Sequence, residues 1–444
     1  MMTHEVTHTS ATQRTFVQEA VSSEESESFE RLESNVRYYS YIYPKVFVKA
    51  IGSSIWSEDG TEYIDFMSGA GALNYGHNNP LLKSALIDYV ASDGISHSLD
   101  LHTQAKRRFL EQFEYSILKP RRLDYKVQFV GPTGTNAVEA ALKLSRKVTG
   151  RSTIAAFSNA FHGVSLGSLA VTASRSKRVG AYAPLPGVVR LPYEGFYGQD
   201  TDAADVIERI LTDPGSGVDE PAAIILETIQ GEGGLQHCSA SWLKKVTSVA
   251  ERLGALLIID DIQSGCGRSG SFFSFEELGV MPDLVCLSKS LSGFGLPMSV
   301  VLIKRDLDQW APGEHNGTFR GGNLAFVTAT AALESYWQDG VFQASVRSSA
   351  IWLAHALEQI VVKSPDRLAR VKGRGLLIGI ECMNGDIAER VVAKCFDNGL
   401  ILEVCGSRGH VLKLMPSLTI SRQQLAQGVA ILAESINAAL AAMS

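Results

Sequence analysis

The stretch ALLIIDD (Ala255–Asp261) decides the fold. Its apolar residues run on without alternation and stop at two carboxylates. A strand with one face in water alternates, whereas a strand covered on both faces does not. Four further stretches read the same way: VQFVG (Val127–Gly131), TIAAFS (Thr153–Ser158), AAIILET (Ala222–Thr228) and DLVCLSK (Asp283–Lys289). Helical patterns lie between them. Short strands apolar on both faces, alternating with helices, predict an α/β fold with a mostly parallel sheet covered by helices. Ligands in such sheets sit at the carboxyl ends of the strands. The polar residues that end these runs are therefore the candidates for chemistry.

On the N-terminal side, Pro44–Asp65 alternates through Val46, Val48, Ile51, Ile55, Trp56, Tyr63 and Ile64, with SEDG (Ser57–Gly60) as a tight turn. This predicts a small antiparallel element. On the C-terminal side, a long helical stretch follows about Ala331, Gly373–Met383 has a strand pattern, and a last helix starts near Ser421. The expected plan is a mobile tail over 1–30, rich in Ser, Thr and Glu. A smaller α+β domain is drawn from both chain ends (31–79 and 331–444), around a large domain over 80–330.

The bulk numbers fit this plan. The chain has 444 residues, 45% of them hydrophobic, enough for a large core. A net charge of −6 argues against nucleic acid as a partner. Six cysteines, none at C-x-x-C spacing and none beside a His-rich cluster, read as reduced thiols and not as disulfides or metal ligands. The N-terminus lacks the basic start and apolar core of a signal peptide, and no run reaches the roughly 18 apolar residues of a membrane span. A cytoplasmic protein is expected.

Three features could carry chemistry. In VQFVGPTGTNAVEAALKLSRKVTG, a strand passes through a Gly-rich turn into a helix, with Gly131, Gly134 and Thr135 where the helix begins. Small residues let backbone N–H groups approach a phosphate, and the helix dipole favours its charge. Glu139 is expected in the first turn and Arg146 and Lys147 in the last, as the dipole prefers. The plain alternative is an ordinary helix cap; the motif is neither GxGxxG nor a Walker A loop. Next, Asp260 and Asp261 end a buried strand, where a carboxylate is costly unless it meets a cation. One reading is a helix cap. The other is a partner for a protonated pyridinium nitrogen, with Ile262 pressing on the ring. Third, Lys289 closes an apolar strand before a Ser/Gly-rich loop. Partial desolvation there would lower its pKa and free the amine as a nucleophile. Alone it reads as a surface lysine. Its company, a phosphate turn and a strand-end acid each after an apolar strand, favours the nucleophile.

With these residues in place, the chain from about residue 35 resembles the fold-type I, class III (omega) aminotransferases. The motifs that carry the likeness come in order: GPTGTNAVEAALKLSRKVTGR, FHG, ETIQGEGG, IIDDIQSGCGRSG, LSKS and HNGTFRGGN. The resemblance implies pyridoxal 5′-phosphate as cofactor. It implies that Gly134 and Thr135 bind the phosphate, that Phe161 stacks on the pyridine ring with His162 beside it, and that Glu227 joins the surrounding hydrogen bonds. Asp260 would pair with the ring nitrogen, Ile262 would pack on the ring and Gln263 would approach its phenolic oxygen. Lys289 would form the Schiff base. Thr318 would reach the phosphate of the neighbouring subunit, implying a homodimer or a dimer of dimers with shared sites.

Within the family the likeness is to the diaminobutyrate–2-oxoglutarate aminotransferases, carried by ESNVRYYSYIYPKVF, FMSGAGALNYGHNNP, FHGVSLGSLAVT and LSKSLSGFGLPMSVVLIK. It implies glutamate as donor and aspartate 4-semialdehyde as acceptor. Two departures bear on substrate. Val164 stands where several relatives carry a carboxylate-binding Arg, and Lys413 stands where several carry an Arg paired with the glutamate that is Glu232 here. Lys is a point charge and Arg a planar fork. A Glu232–Lys413 switch, with Arg37 or another cation on the substrate carboxylate, is the expected arrangement. An ornithine or 4-aminobutyrate type enzyme, an aminomutase and a cofactor-binding regulator remain as alternatives.

Overall fold

The computed structural model describes residues 27–179, 184–198 and 201–443. Most of the expected tail over 1–30 lies outside the described residues; its last part, Glu27–Leu32, is a short helix with no buried residue.

Three strands open the chain: β1 (Phe47–Ile51), β2 (Ser54–Ser57) and β3 (Glu62–Asp65), paired antiparallel in sequence order. They are the alternating stretch with its SEDG turn. The chain then enters the central sheet with β4 (Tyr125–Phe129), β5 (Ile154–Phe157), β6 (Val188–Leu191) and β7 (Ala223–Leu226). A small hairpin follows, β8 (Ile229–Gln230) with β9 (Gln236–His237). Next come β10 (Leu256–Asp260), β11 (Leu284–Leu287) and β12 (Val300–Lys304). Five further strands form the C-terminal part: β13 (Leu368–Arg374), β14 (Leu377–Cys382), β15 (Leu400–Ile401), β16 (Glu403–Cys405) and β17 (Val411–Leu414).

The central sheet has seven strands in the order β4-β12-β11-β10-β7-β5-β6. Only β12 runs against its neighbours, β11 and β4; the other pairings are parallel. The mostly parallel seven-stranded sheet expected from sequence is therefore present. Its residues alternate between two cores. Ile224, Leu226, Leu257 and Ile259 belong to one, and Ile225, Ile258, Leu284 and Cys286 to the other. Burial of both faces is why the runs read as uninterrupted. Each such side chain withdrawn from water contributes roughly 1.5–3 kcal/mol.

β6 and β12 were not among the stretches singled out from sequence. The single strand pattern over Gly373–Met383 is in fact the last two residues of β13, the turn and then β14. Gly375 makes the turn at φ +70°, and a β-carbon there would meet Arg268 O at 2.5 Å. The expected boundary near residue 330 falls inside the helix Asn323–Tyr336, whose Ala329 and Leu333 pack in the core of the central sheet. The two chain ends share a further core. β15 pairs parallel with β3 through Leu400 and Ile64, and Tyr63, Phe66, Leu412 and Leu432 pack in one cluster. The last helix, Arg422–Ala441, is capped by Ser421, whose side chain accepts from Gln424 N.

Candidate active site

The helix Gly134–Thr149 begins with no side-chain cap, since the Thr133 side chain makes no capping hydrogen bond. Its first N–H groups have no carbonyl behind them and so form a ready anion site. A β-carbon at Gly134 would lie 2.9 Å from Ile262 Cδ1, so a larger residue there would push the Ile262 side chain from this turn. Thr135 Oγ1 lies 2.6 Å from Ser165 Oγ, which donates to Glu139 Oε1 at 2.6 Å. Glu139 corrects an expectation: it is not in the first turn of its own helix, which holds no acid. Its carboxylate accepts from Gly167 N and Ser168 N and so caps the neighbouring helix Leu166–Val171. The dipole it answers is that of the next helix.

Asp260 ends β10, buried, with Oδ2 2.7 Å from His162 Nδ1 and Oδ1 accepting from Ile262 N at 3.2 Å. His162 is itself buried, and its Nε2 has no hydrogen-bond partner among the described residues. Phe161 N donates to Glu227 Oε2 at 2.9 Å, which fixes the Phe161–Gly163 turn beside Asp260. Burial, reinforced by the Asp260 charge, pushes the Glu227 carboxyl well above the usual range. Asp261 turns to other work. It accepts from Ser264 Oγ and Ser274 N, and burial pushes its carboxyl up to about 6. Of the two acids that close the strand, one meets a histidine and the other ties down a loop.

Lys289 opens a single 3-10 turn after β11, at φ +51°. Such a left-handed conformation costs a non-glycine residue on the order of 1–3 kcal/mol and persists only where the surroundings enforce it. They do. Ser288 Oγ donates to Met298 O, while Ser290 Oγ donates to Gly71 O and accepts from Asn74 N. The Lys289 side chain keeps some access to solvent. Burial lowers its pKa, against the opposing pull of the Glu232 charge. A held amine with a lowered pKa is a nucleophile and a proton carrier.

The substrate-side residues meet through the register of the C-terminal sheet. Glu403 on β16 stands directly opposite Lys413 on β17. Lys413 is fully buried, with Nζ 2.6 Å from Glu232 Oε1 and 3.0 Å from Glu403 Oε1. Tyr39 donates its hydroxyl to Glu403 Oε2 at 2.8 Å. Gln263 Nε2 bridges Glu232 Oε1 at 3.3 Å and Ala70 O at 3.2 Å. Burial alone would raise the Glu232 carboxyl, but Lys413 outweighs it and holds the carboxyl low. Conversely, burial disfavours the Lys413 charge, and the two carboxylates overcome that and raise its pKa. The expected Glu232–Lys413 pair is thus present, but Lys413 has a second counter-ion.

Arg37 lies in another set of contacts: it donates to Tyr41 Oη at 3.0 Å and stacks over that ring. Val164 is exposed. Thr318 is exposed, and its carbonyl lies 2.7 Å from His97 Nε2. Sequence reasoning missed Glu403, Tyr39 and Ser165. The signal for Glu403 was the charged residue at the head of EVC, which becomes meaningful only once its register with Lys413 is known. Among the described residues no group of His, Cys, Asp or Glu is arranged to hold a metal ion, and no helix is long and apolar enough to cross a membrane.

The model of the family described as aminotransferase class-III matches residues 38–436. The chain is 53% identical over 410 residues to a protein of Halalkalibacterium halodurans named diaminobutyrate–2-oxoglutarate transaminase, covering 92% of this chain and 96% of that protein. A protein of Vibrio parahaemolyticus with the same name is 50% identical, covering 92% and 96%. An aminotransferase of Sinorhizobium fredii described as uncharacterized is 52% identical, covering 93% and 92%. Among solved structures, the ornithine aminotransferase of Toxoplasma gondii superposes with a TM-score of 0.79 at 26% identity, covering 93% of each chain. A match that spans nearly the whole chain, on a sheet whose strand ends carry Asp260 and Lys289, settles the family: the chain belongs to the class-III aminotransferases.

Proposed function

We propose that this aminotransferase uses pyridoxal 5′-phosphate to move an amino group from L-glutamate to L-aspartate 4-semialdehyde, giving 2-oxoglutarate and L-2,4-diaminobutyrate. The carrying observation for the cofactor is the convergence of an uncapped helix N-terminus, a buried acid at a strand end and a strained, partly desolvated lysine. The residues fit the group. Gly134 and Thr135 would offer N–H donors to its phosphate, and Asp260 would keep its ring nitrogen protonated. Phe161 and Ile262 would offer the apolar surfaces for its ring, Glu227 fixes the Phe161 backbone, and Gln263, whose amide donates to Glu232 and Ala70, would have to turn to reach the phenolic oxygen. Lys289 is the attachment point. When bound, the cofactor supplies an electron sink for the pair left by the departing proton.

The chain's own groups then do the following. His162 Nδ1, 2.7 Å from Asp260, orients that carboxylate. Lys289 Nζ would take the proton from the amine-bearing carbon of glutamate and, in the second half-reaction, would deliver one to the aldehyde carbon of aspartate 4-semialdehyde. Glu232, Gln263 and Lys413 would form the polar wall for the rest of the substrate, and we retain Arg37, held on Tyr41, as a candidate for the substrate carboxylate. Two successive half-reactions at one amine predict ping-pong kinetics. For the substrate, the support is that relatives at 50–53% identity over almost their whole length carry the diaminobutyrate name.

The reading extends to the assembly. We place the protein in the cytoplasm as a homodimer, with Thr318 of the partner subunit completing the phosphate site. Exposed Ile95, Leu99, Leu101 and Phe319, gathered around the His97–Gly322 bridge, supply an apolar surface for that contact. We also assign 80–330 to a large domain and 31–79 with 331–444 to a smaller one, with the helix Asn323–Tyr336 crossing that boundary and packing with the large domain.

The test has two arms. The purified protein should absorb in the visible region, and Lys289→Ala should lose both that band and turnover; an unchanged spectrum sinks the cofactor assignment. Aspartate semialdehyde, ornithine and 4-aminobutyrate should then be compared against the glutamate/2-oxoglutarate pair. Faster turnover of ornithine or 4-aminobutyrate than of the aspartate semialdehyde–diaminobutyrate couple sinks the substrate assignment.

A further inference from the structure

The wall of the site opposite Lys289 carries one more carboxylate than a simple switch needs. Lys413 faces both Glu232 and Glu403, so two negative charges meet one positive charge. The two acids are not equivalent. The Glu403 side chain is 3% exposed and pinned by the Tyr39 hydroxyl and by its cross-strand register with Lys413. The Glu232 side chain is 37% exposed and sits on a short Gly-flanked turn between β8 and β9.

If Glu232 were the sole partner of Lys413, each departure of Glu232 would strand a fully buried ammonium, which is strongly unfavourable. Glu403 removes that penalty. Lys413 stays neutralised whichever way Glu232 points, and Glu232 keeps a charge that Lys413 does not need. Gln263, three residues after Asp260, donates to Glu232, so this cluster belongs to the same site.

We propose that Glu403 is a specificity-determining positioning residue: as the permanent counter-ion of Lys413, it releases Glu232 to receive the second, non-reacting ammonium of a diamino acid. This rests on the diaminobutyrate reading above. 2,4-Diaminobutyrate and 4-aminobutyrate present the same reacting amine and the same carboxylate, and differ only in the ammonium at the distal carbon. A wall with a net negative charge distinguishes them; a neutral pair does not.

The experiment measures kcat/KM for 2,4-diaminobutyrate and for 4-aminobutyrate, with 2-oxoglutarate as acceptor, in the wild type and in Glu403→Gln. In the variant Glu232 becomes the only anion left for Lys413. The diaminobutyrate preference should fall about tenfold, the effect of one charge-assisted hydrogen bond, and chiefly through KM. Titration calorimetry of both compounds on Lys289→Ala, with and without Glu403→Gln, should give the same loss in the Kd ratio without any turnover. An unchanged preference, or equal loss for both compounds, overturns the proposal. Tyr39→Phe provides a second variant if Glu403→Gln does not fold. It keeps the Glu403 charge, so the preference should stay within about twofold of wild type, while Glu232→Gln, which removes the anion offered to the distal ammonium, must lower it, or the proposal fails. A wild type that does not convert 2,4-diaminobutyrate at all sinks the substrate assignment, and this inference with it. Conversion with a preference unshifted in Glu403→Gln or Glu232→Gln sinks this inference alone.

Discussion

Asp260 and Asp261 are adjacent in sequence and unlike in environment, and the difference predicts a pH effect. Asp260 meets His162, whereas Asp261 is buried among Ser264, Ser274 and the loop backbone with no cation. Burial raises Asp261 to about 6 from an ordinary value of about 4. The folded state therefore holds this proton more tightly than the unfolded chain. The resulting stability is fully present below the unfolded value and is lost as pH rises through about 6. Glu232 works the other way: its lowered carboxyl contributes stability above its unfolded value, lost as pH falls. Asp261→Asn keeps an acceptor but cannot ionise. Relative to wild type, its unfolding free energy in urea should improve by on the order of 2 kcal/mol between pH 4.5 and pH 7.5. A difference that does not change with pH would reject this account of the pair. The same two residues show what was legible at this scale. A carboxylate closing an apolar run announces a buried charge, but only the fold reveals which of two neighbours has a partner.

At the scale of elements, legibility followed burial. β5, β7, β10 and β11 are buried along their whole length and stood out as apolar runs. β6 is only partly buried at three of its four positions, and its VVRL carries a charge. β12 is buried but follows directly on the Lys289 loop, where a Gly/Pro-rich stretch masks its start. Glu139 was placed one turn wrong because sequence alone shows which helix a residue is in, and not which helix it caps. Its actual work can be tested. Its carboxylate takes two backbone N–H groups of the helix Leu166–Val171 and the Ser165 hydroxyl, which in turn meets Thr135. Glu139→Ala should destabilise the protein by about 1–2 kcal/mol, as the loss of a helix cap does. It should also raise the dissociation constant for pyridoxal 5′-phosphate by loosening Thr135. Glu139→Gln, which still accepts, should recover most of the stability. If Glu139→Ala unfolds at the wild-type urea midpoint, the capping role is wrong.

On the scale of the whole molecule, the question is what joins the C-terminal sheet to the loop that carries Lys289. The sequence showed that both chain ends contribute strands, but not how these reach the central sheet, because the links are backbone carbonyls that leave no trace in side-chain pattern. Arg268 is the clearest of them. It is fully buried and has no carboxylate partner among the described residues. Its guanidinium donates to Asn74 Oδ1, to Leu376 O before β14 and to Pro416 O after β17. Asn74 in turn donates to Ser290 Oγ, beside Lys289, and to Cys266 O. Burial lowers the Arg268 pKa to about 9, and its described hydrogen bonds all go to neutral oxygens, so it acts as a fork of donors. Arg268→Met should leave three buried acceptors unpaired, at about 1–3 kcal/mol each. The loss should not be uniform. Amides in β14 and β17 should exchange with deuterium at distinctly lower opening free energy, while those in β7 and β10 keep wild-type protection, because the central sheet retains its own two cores. The Lys289 loop should follow the C-terminal strands, since Asn74 ties it to them. Equal loss of protection in β10 and β17 would show one cooperative body in which Arg268 is merely one more buried group; separate loss would establish it as the joint through which the C-terminal sheet sets the position of Lys289.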